Sequence, residues 1–192
     1  MKKIFIQMNI RKPLGKFFKW ISGWDYDPFW PEEKKCVILL APHTSMWDFF
    51  HGSGFNLWHG KKPSIMVKKE LFFFPLGQIL KIVGGLPIDR RNASQLVESV
   101  ISQFNNNKEL TLVIAPEGTR QKVKVWKKGF YRIAKAANVP VYYGILDYKQ
   151  KRVSIHPESF FVSDDAESDV KKVMSFYKQF HPKHPEKFYA GE

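Results

Sequence analysis

The sequence contains a single cysteine among 192 residues, so no internal disulfide can form. A small secreted domain held together by disulfides is therefore excluded, and a reducing compartment fits this composition. The cysteine begins the apolar run Cys36-Val-Ile-Leu-Leu40. A cysteine in such a run is typical of a buried strand, which predicts a core residue and not a catalytic thiol.

Long apolar stretches are also missing. The longest, 36–41 and 71–80, are well below the roughly 18 residues that a membrane-spanning helix requires. The basic start, Met1-Lys-Lys-Ile-Phe-Ile6, is followed at once by polar residues and lacks the apolar core of a secretory signal. These absences predict a cytoplasmic protein that does not cross a bilayer.

Acidic residues are scarce, since 18 Asp and Glu accompany 31 Lys and Arg and the formal net charge is +13. This excess predicts an anionic partner, which is nucleic acid, an anionic lipid surface or a phosphorylated substrate. Aromatic residues make up 16% of the chain, and rings mixed with lysines favour a membrane interface. Neither a zinc-ligand spacing nor an aromatic RNA-binding strand motif is present, so nucleic acid is the alternative and not the expected partner.

Residues 12–24 predict an amphipathic basic helix. Its apolar residues recur every three or four positions, as Leu14, Phe17, Phe18, Ile21 and Trp24, with lysines between them. Such a helix either anchors the protein peripherally on the inner face of an anionic membrane or packs on the domain. The spacing fits both alternatives equally.

The length suits a single domain over 1–192, in which apolar strands alternate with amphipathic helices. The predicted strands are 37–41, 64–67, 86–88, 111–115, 139–146 and 152–155, and the predicted helices after the first are 47–58, 71–83, 94–104, 129–137 and 165–180. This alternation predicts an α/β fold with a mainly parallel central sheet flanked by helices. The core then spans 36–146, and the Pro-rich tail 181–192 is interpreted as a surface extension without chemistry.

Polar residues follow two of the predicted strands. His43 comes directly after strand 37–41, with Asp48 five positions later, and the strand 111–115 leads into Glu117-Gly-Thr-Arg120. A His-X4-Asp spacing arises easily by chance, and His181 with Glu186 repeats it in the tail. A guanidinium at a strand end can hold a phosphate with two hydrogen bonds, and a glycine beside it lets the backbone approach closely.

Two further loops carry positive charge. One is Gly84-Gly-Leu-Pro-Ile-Asp-Arg-Arg91, and the other contains Lys68 and Lys69 after the strand 64–67. In open parallel sheets ligands bind at the carboxyl ends of the strands, so these loops are expected near His43.

Four segments together resemble a known family. His43-Thr-Ser-Met-Trp-Asp48, Gly85-Leu-Pro-Ile-Asp-Arg90, Glu117-Gly-Thr-Arg120 and Val139-Pro-Val141 resemble, in order and spacing, the four blocks of the glycerol-3-phosphate and 1-acylglycerol-3-phosphate (lysophosphatidate) acyltransferases. The resemblance covers about 36–146, and the combination of blocks is specific where each block alone is not. This chain resembles a short form without the N-terminal membrane segments of many relatives.

The resemblance implies an O-acyltransferase of lipid biosynthesis. A fatty acyl group would pass from acyl-CoA or acyl carrier protein to a lysophospholipid or related acceptor, with no metal and no further cofactor. His43 would act as general base and Asp48 would orient its imidazole. The expected acceptor-binding residues are Glu117, Gly118, Thr119, Arg120, Arg90 and Lys68.

Several positions depart from the family pattern and leave the acceptor open. They are Pro42 before the histidine, Pro87, Gln121 after Arg120, and the block around Pro140 with one proline. The acceptor could be lysophosphatidate, another lysolipid or an acylated amino acid. An acyl-thioester hydrolase, an inactive lipid-binding relative and a nucleic-acid-binding protein stay as alternatives.

Overall fold

The computed structural model describes residues 11–88 and 93–191 and confirms the predicted α/β fold. Its strands are β1 (Asp25–Tyr26), β2 (Lys35–Ala41), β3 (Ser64–Lys68), β4 (Gly85–Ile88), β5 (Leu110–Ile114), β6 (Val141–Asp147) and β7 (Arg152–Ile155). Its helices are α1 (Arg11–Ser22), α2 (Trp47–Trp58), α3 (Leu76–Ile82), α4 (Ala93–Asn106), α5 (Gly129–Ala137) and α6 (Ala166–Tyr177). Short 3₁₀ turns cover Lys69–Leu71 and Pro185–Lys187.

The seven strands form one sheet in the order β1-β7-β6-β2-β5-β3-β4. Strands β2, β3, β4, β5 and β6 run parallel to one another, because each connection between them crosses over through a helix. Among the strands of the described residues, only the hairpin from β6 to β7 pairs antiparallel. The carboxyl ends of β2, β3, β4, β5 and β6 therefore meet at one edge, which we call the carboxyl edge.

Helices cover both faces of the sheet, as a buried parallel sheet requires. Helices α4, α5 and α6 pack on one face through residues such as Phe104, Phe130 and Tyr177, and α2 packs on the other through Phe55. Cys36 is fully buried on the α2 side, and burial raises the pKa of its thiol to about 11. This confirms the cysteine as a core residue.

Most boundaries differ from the sequence prediction by one to three residues, and two of the differences have a clear physical reason. The helix predicted over 71–83 begins only at Leu76, since a residue that precedes proline, here Phe74 before Pro75, is disfavoured in helical backbone. The first helix ends at Ser22 instead of residue 24, because Gly23 adopts a φ of +65° and turns the chain. Strand β1 was not predicted, since two residues are too short to show a pattern.

Residues 181–190, which we call the C-terminal strap, lie at the surface as predicted, but they are hydrogen-bonded to the rest of the domain. The Trp126 Nε1–H donates to the carbonyl of Tyr189 at 3.0 Å. The backbone N–H of Tyr148 donates to the carbonyl of His181 at 2.8 Å. The strap is therefore attached both to the segment before α5 and to the carboxyl edge. Its backbone carbonyls accept hydrogen bonds from the indole N–H of Trp126 and the backbone N–H of Tyr148.

Helix α1 confirms the predicted amphipathic helix and lies against α2. A Cβ atom on Gly15 would come within 2.1 Å of the backbone nitrogen of Trp58, so glycine is needed where the two helices cross. Several apolar side chains remain exposed, namely Leu14, Phe17, Trp20 and Ile21. No helix in the ranges 11–88 and 93–191 combines the length and the apolar character needed to cross a membrane.

We predict that Gly15→Ala lowers the free energy of unfolding by about 1–3 kcal/mol, because the added methyl group forces the α1 and α2 backbones apart. Gly129→Ala is the matched control, since its Cβ would meet nothing within 4 Å, and we expect it to be neutral or stabilising by about 0.5 kcal/mol. Urea titrations at one pH measure both variants. Equal stability of the two would contradict the close helix crossing.

Candidate active site

Residues from three strands meet at the carboxyl edge. Strand β2 runs through Pro42 to His43, and Asp48 lies in the first turn of α2. Glu117 follows the adjacent strand β5, and Tyr148 follows β6 on the other side of β2. The parallel topology thus brings together side chains that are up to 105 positions apart in the sequence, from His43 to Tyr148.

His43 and Asp48 form a hydrogen-bonded pair. The Nδ1 atom of His43 lies 3.0 Å from Oδ2 of Asp48, and the imidazole is 24% exposed whereas the carboxylate is fully buried. When Nδ1 carries the proton that this contact needs, Nε2 is the nitrogen with a free lone pair. The pair therefore has the arrangement of an imidazole base held by a carboxylate.

The Asp48 carboxylate is surrounded by donors. Its Oδ2 also accepts the backbone N–H groups of Thr44 and Ser45, both at 2.8 Å, and its Oδ1 accepts the hydroxyl of Tyr148 at 2.6 Å. Burial acts to raise the pKa of Asp48, but the hydrogen bonds from His43, Tyr148 and the Ser45 backbone outweigh it and the net shift is downward. Asp48 is thus held as a carboxylate.

Glu117 is buried beneath His43, with 4% of its surface exposed. Its Oε1 accepts the backbone N–H of His43 at 2.7 Å, while Oε2 is buried without a hydrogen-bond partner among the described residues. Burial raises the pKa of Glu117 to about 7, against the smaller opposing effect of the His43 N–H. The described contact of this side chain is with the backbone of the loop that carries His43, and its predicted role in acceptor binding stays a prediction.

The other predicted binding residues are spread along the edge. Gly118 adopts a φ of +68°, which favours glycine, and Thr119 accepts the N–H of Gln121 at 3.3 Å. Arg120 and Lys68 are exposed, at the ends of β5 and β3 respectively. Arg90 lies outside the described residues. The roles of these residues stay predictions.

Sequence reasoning missed Tyr148 and His51. Tyr148 lies 100 positions after Asp48, so no local pattern links them. His51 is buried one helical turn after Asp48 and stacks on Trp24 with ring centroids 3.8 Å apart. Burial lowers the pKa of His51 to about 4, so its ring is neutral and supports the packing around the site. Only the three-residue spacing from Asp48 on a predicted helix could have pointed to it.

An apolar pocket lies between α2 and the sheet, next to the carboxyl edge. Phe49 and Gly52, which follow Asp48 on α2, line it together with apolar residues of the strands, including Ile38, Leu40, Val113 and Ile155. Within 11–88 and 93–191, no three His, Cys, Asp or Glu side chains come together as a candidate metal site.

The comparisons with known proteins agree with this geometry. A family model described as Acyltransferase matches residues 27–143. A 1-acyl-sn-glycerol-3-phosphate acyltransferase of Cocos nucifera is 32% identical over 138 residues, which cover 66% of this chain and 42% of that protein. The protein of the same description from Streptococcus pneumoniae is 32% identical over 115 residues, covering 58% of this chain and 41% of its own. This chain thus spans less than half the length of these curated relatives.

The crystal structure of the 1-acyl-sn-glycerophosphate (LPA) acyltransferase PlsC from Thermotoga maritima shares the fold, with a TM-score of 0.58. It is 20% identical, and the likeness covers 90% of this chain and 80% of that one. The family match extends from the segment before β2 into β6 and includes His43, Asp48 and Glu117. Because it covers more than half of the 192 residues, the chain belongs to the acyltransferase family, as its four sequence blocks predicted.

Proposed function

We propose that the protein transfers a fatty acyl group from a thioester, carried by coenzyme A or acyl carrier protein, to the hydroxyl of a lysophospholipid such as 1-acylglycerol-3-phosphate. The observation that carries this proposal is the His43–Asp48 pair, in which a partly exposed imidazole is held by a fully buried carboxylate at 3.0 Å. The names of the curated relatives support this acceptor class.

In the proposed reaction His43 acts as general base. An alcohol is a weak nucleophile at neutral pH, so Nε2 of His43 removes the hydroxyl proton as the oxygen attacks the thioester carbonyl. Asp48, paired to Nδ1 at 3.0 Å, stabilises the imidazolium that forms. When the tetrahedral intermediate collapses, the carbon–sulfur bond breaks and the same proton leaves with the thiolate, so the enzyme is restored without being acylated.

The apolar pocket beside α2 lies close to the His43–Asp48 pair. Phe49 and Gly52, one and four positions after Asp48, are part of its lining, and its walls are almost entirely apolar. Its volume of about 40 Å³ is too small for a fatty chain, so it supports the proposal only through the apolar lining it places beside the imidazole.

We predict that His43→Ala lowers kcat by about 100- to 10,000-fold, because a positioned general base contributes a factor of that size. Asp48→Asn is expected to lower kcat by a similar factor, since the neutral amide no longer stabilises the imidazolium. Thiol release from acyl-CoA and from acyl carrier protein is measured with and without a panel of lysolipids, and the lipid products are identified by mass.

The control for this experiment is His156→Ala, since His156 follows β7, whose carboxyl end lies at the opposite edge of the sheet. Wild-type thiol release that does not depend on any acceptor would identify a hydrolase instead. Activity that survives His43→Ala unchanged would contradict the mechanism.

For Glu117 we propose a positioning role in addition to, or in place of, acceptor binding. The side chain is 4% exposed and its Oε1 holds the His43 N–H at 2.7 Å, so it fixes the loop that carries the base. A positioning role affects kcat, whereas loss of an acceptor contact raises KM for the acceptor.

The raised pKa of Glu117 predicts a pH-dependent stability. Between the ordinary value of 4.5 and about 7 the folded state keeps the proton and the unfolded state releases it, so folding stability falls as pH rises through this window. The glutamine side chain of the Glu117→Gln variant cannot ionise, so its folding stability does not fall in this pH window. We therefore expect the variant to gain stability relative to wild type as pH rises from 4.5 to 7, by about 3 kcal/mol at most.

Denaturant titrations between pH 4.5 and 8 measure this difference, with Glu158→Gln, an exposed carboxyl outside the site, as control. A stability gap that does not change with pH would show that Glu117 is not buried as described. Activity measured on the same variant separates the positioning role, seen in kcat, from acceptor binding, seen in KM.

We further propose that the protein docks on an anionic membrane surface through α1. Trp20 is 78% exposed and Phe17 is 58% exposed, although both are large apolar side chains. Trp47, 54% exposed in the first turn of α2, adds a ring beside the catalytic pair. Rings that enter the headgroup region and lysines that meet lipid phosphates would bring the mouth of the site to its lipid substrate.

We predict that Phe17→Ser combined with Trp20→Ser weakens binding to phosphatidylglycerol-containing vesicles by about tenfold or more, because two rings no longer enter the interface. Phe161→Ser is the control, since Phe161 is 61% exposed but lies before α6 and away from α1. Vesicle flotation measures all three proteins. Equal binding of the double variant and wild type would contradict docking through α1.

A further inference from the structure

The C-terminal strap places a lysine over two aromatic rings that adjoin the His43–Asp48 pair. The Nζ atom of Lys183 lies 5.0 Å from the ring centroid of Trp47 and 5.8 Å from that of Tyr148. Trp47 precedes Asp48 in α2, and Tyr148 donates its hydroxyl to Asp48 at 2.6 Å. One of the two rings next to the Lys183 ammonium thus belongs to a residue that hydrogen-bonds the buried carboxylate, and the other belongs to the residue before it in the chain.

The strap fixes the position of Lys183 from both sides. Before it, the carbonyl of His181 accepts the Tyr148 N–H at 2.8 Å, and the His181 ring lies 3.2 Å from the Asp147 carboxylate. After it, the N–H of His184 donates to the hydroxyl of Thr44 at 3.2 Å. Thr44 belongs to the loop between His43 and Asp48. The backbone around Lys183 is thus attached to β6 and to the catalytic loop, and the lysine is not on a free tail.

The positive charge of Lys183 has no acidic partner. Its Nζ makes no ion pair among the residues that the structure describes, while the neighbouring His181 and His184 are paired with Asp147 and Glu186. The rings of Trp47 and Tyr148 contact the ammonium without neutralising it, since a cation–π contact leaves the charge available to an anion. The charge is also felt inside the site, where it adds to the effect of burial in lowering the pKa of His51.

Lys183 lies on the opposite side of the catalytic loop from the other candidate cations. Arg120 and Lys68 follow β5 and β3, which lie on one side of β2, whereas Lys183 rests on Tyr148 beyond β6, on the other side. The proposed reaction joins two anionic molecules, a phosphorylated thioester carrier and a phosphorylated acceptor. Because like charges repel, two such molecules need separate cations on the two sides of the base.

We propose that Lys183 binds the phosphate group of a substrate at this second, β6-side flank of the active site. The identity of the phosphorylated molecule rests on the proposed acyl transfer, in which it is either the carrier of the acyl group or the acceptor. The binding group lies outside the segment 27–143 that the family model matches. A lysine presents three N–H donors, and a charge-assisted hydrogen bond to a phosphate oxygen is a strong one.

The test compares wild type, Lys183→Ala and Lys183→Arg, with Lys171→Ala as a control that removes one exposed positive charge from α6 on the other face of the sheet. Coenzyme A and glycerol 3-phosphate are titrated separately by calorimetry, which needs no turnover. We expect Lys183→Ala to weaken the binding of one of the two probes by about five- to tenfold, with most of the affinity restored in Lys183→Arg and none lost in Lys171→Ala.

The two probes distinguish the sources of the phosphate. Weaker coenzyme A binding assigns the flank to the acyl carrier, and weaker glycerol 3-phosphate binding assigns it to the acceptor. Steady-state kinetics should then show a raised KM for the same substrate with kcat little changed. Unchanged binding of both probes, or a fall in kcat alone, would overturn the proposal. A wild type that binds a probe but transfers no acyl group would instead contradict the proposed function and leave the phosphate site in place.

Discussion

The fully buried carboxylate of Asp48 is the constraint on which the site depends. A charge without water must be compensated by hydrogen bonds, and Asp48 receives them from His43, the backbone of Thr44 and Ser45, and the hydroxyl of Tyr148. These donors belong to the loop after β2 and to the segment after β6. Removing any one of them leaves part of a buried charge unsatisfied, so the loop, the first turn of α2 and the end of β6 are fixed relative to one another.

A second buried acid, Glu117, accepts the backbone N–H of His43. Asp48 is kept ionised by its donors, whereas burial raises the pKa of Glu117 to about 7 because the backbone N–H groups of His43 and Glu117 offset it only in part. The ionised form is thus favoured at Asp48 and the protonated form at Glu117, although both side chains contact His43. The difference arises because hydrogen bonds outweigh burial at Asp48, whereas burial outweighs them at Glu117. It suits the roles proposed for the two groups, in which Asp48 stabilises an imidazolium and Glu117 holds the backbone of His43.

Contacts with the His43–Asp48 loop extend beyond the segment that the family model matches. Residues 181–184 contact Tyr148, Thr44 and Trp47, each of which adjoins the catalytic pair. The exposed face of α1 and the ring of Trp47 extend the same surface, so the catalytic loop lies among groups suited to lipid and phosphate. The proposed acyl transfer between amphipathic molecules requires both kinds of contact around one base.

The sequence by itself determined the α/β class, the strands that precede His43 and Glu117, and the pairing of His43 with Asp48, because these depend on local periodicity and on residues within a few positions of one another. The amphipathic character of α1 was also readable, but not which of its residues would stay exposed. Tertiary structure alone decided that Tyr148 reaches Asp48, that Glu117 lies under the His43 backbone, and that the strap returns Lys183 to the site. These contacts join residues 74 to 140 positions apart. They exist because parallel strands bring distant segments to one edge, and no local pattern in the chain encodes which loops meet there.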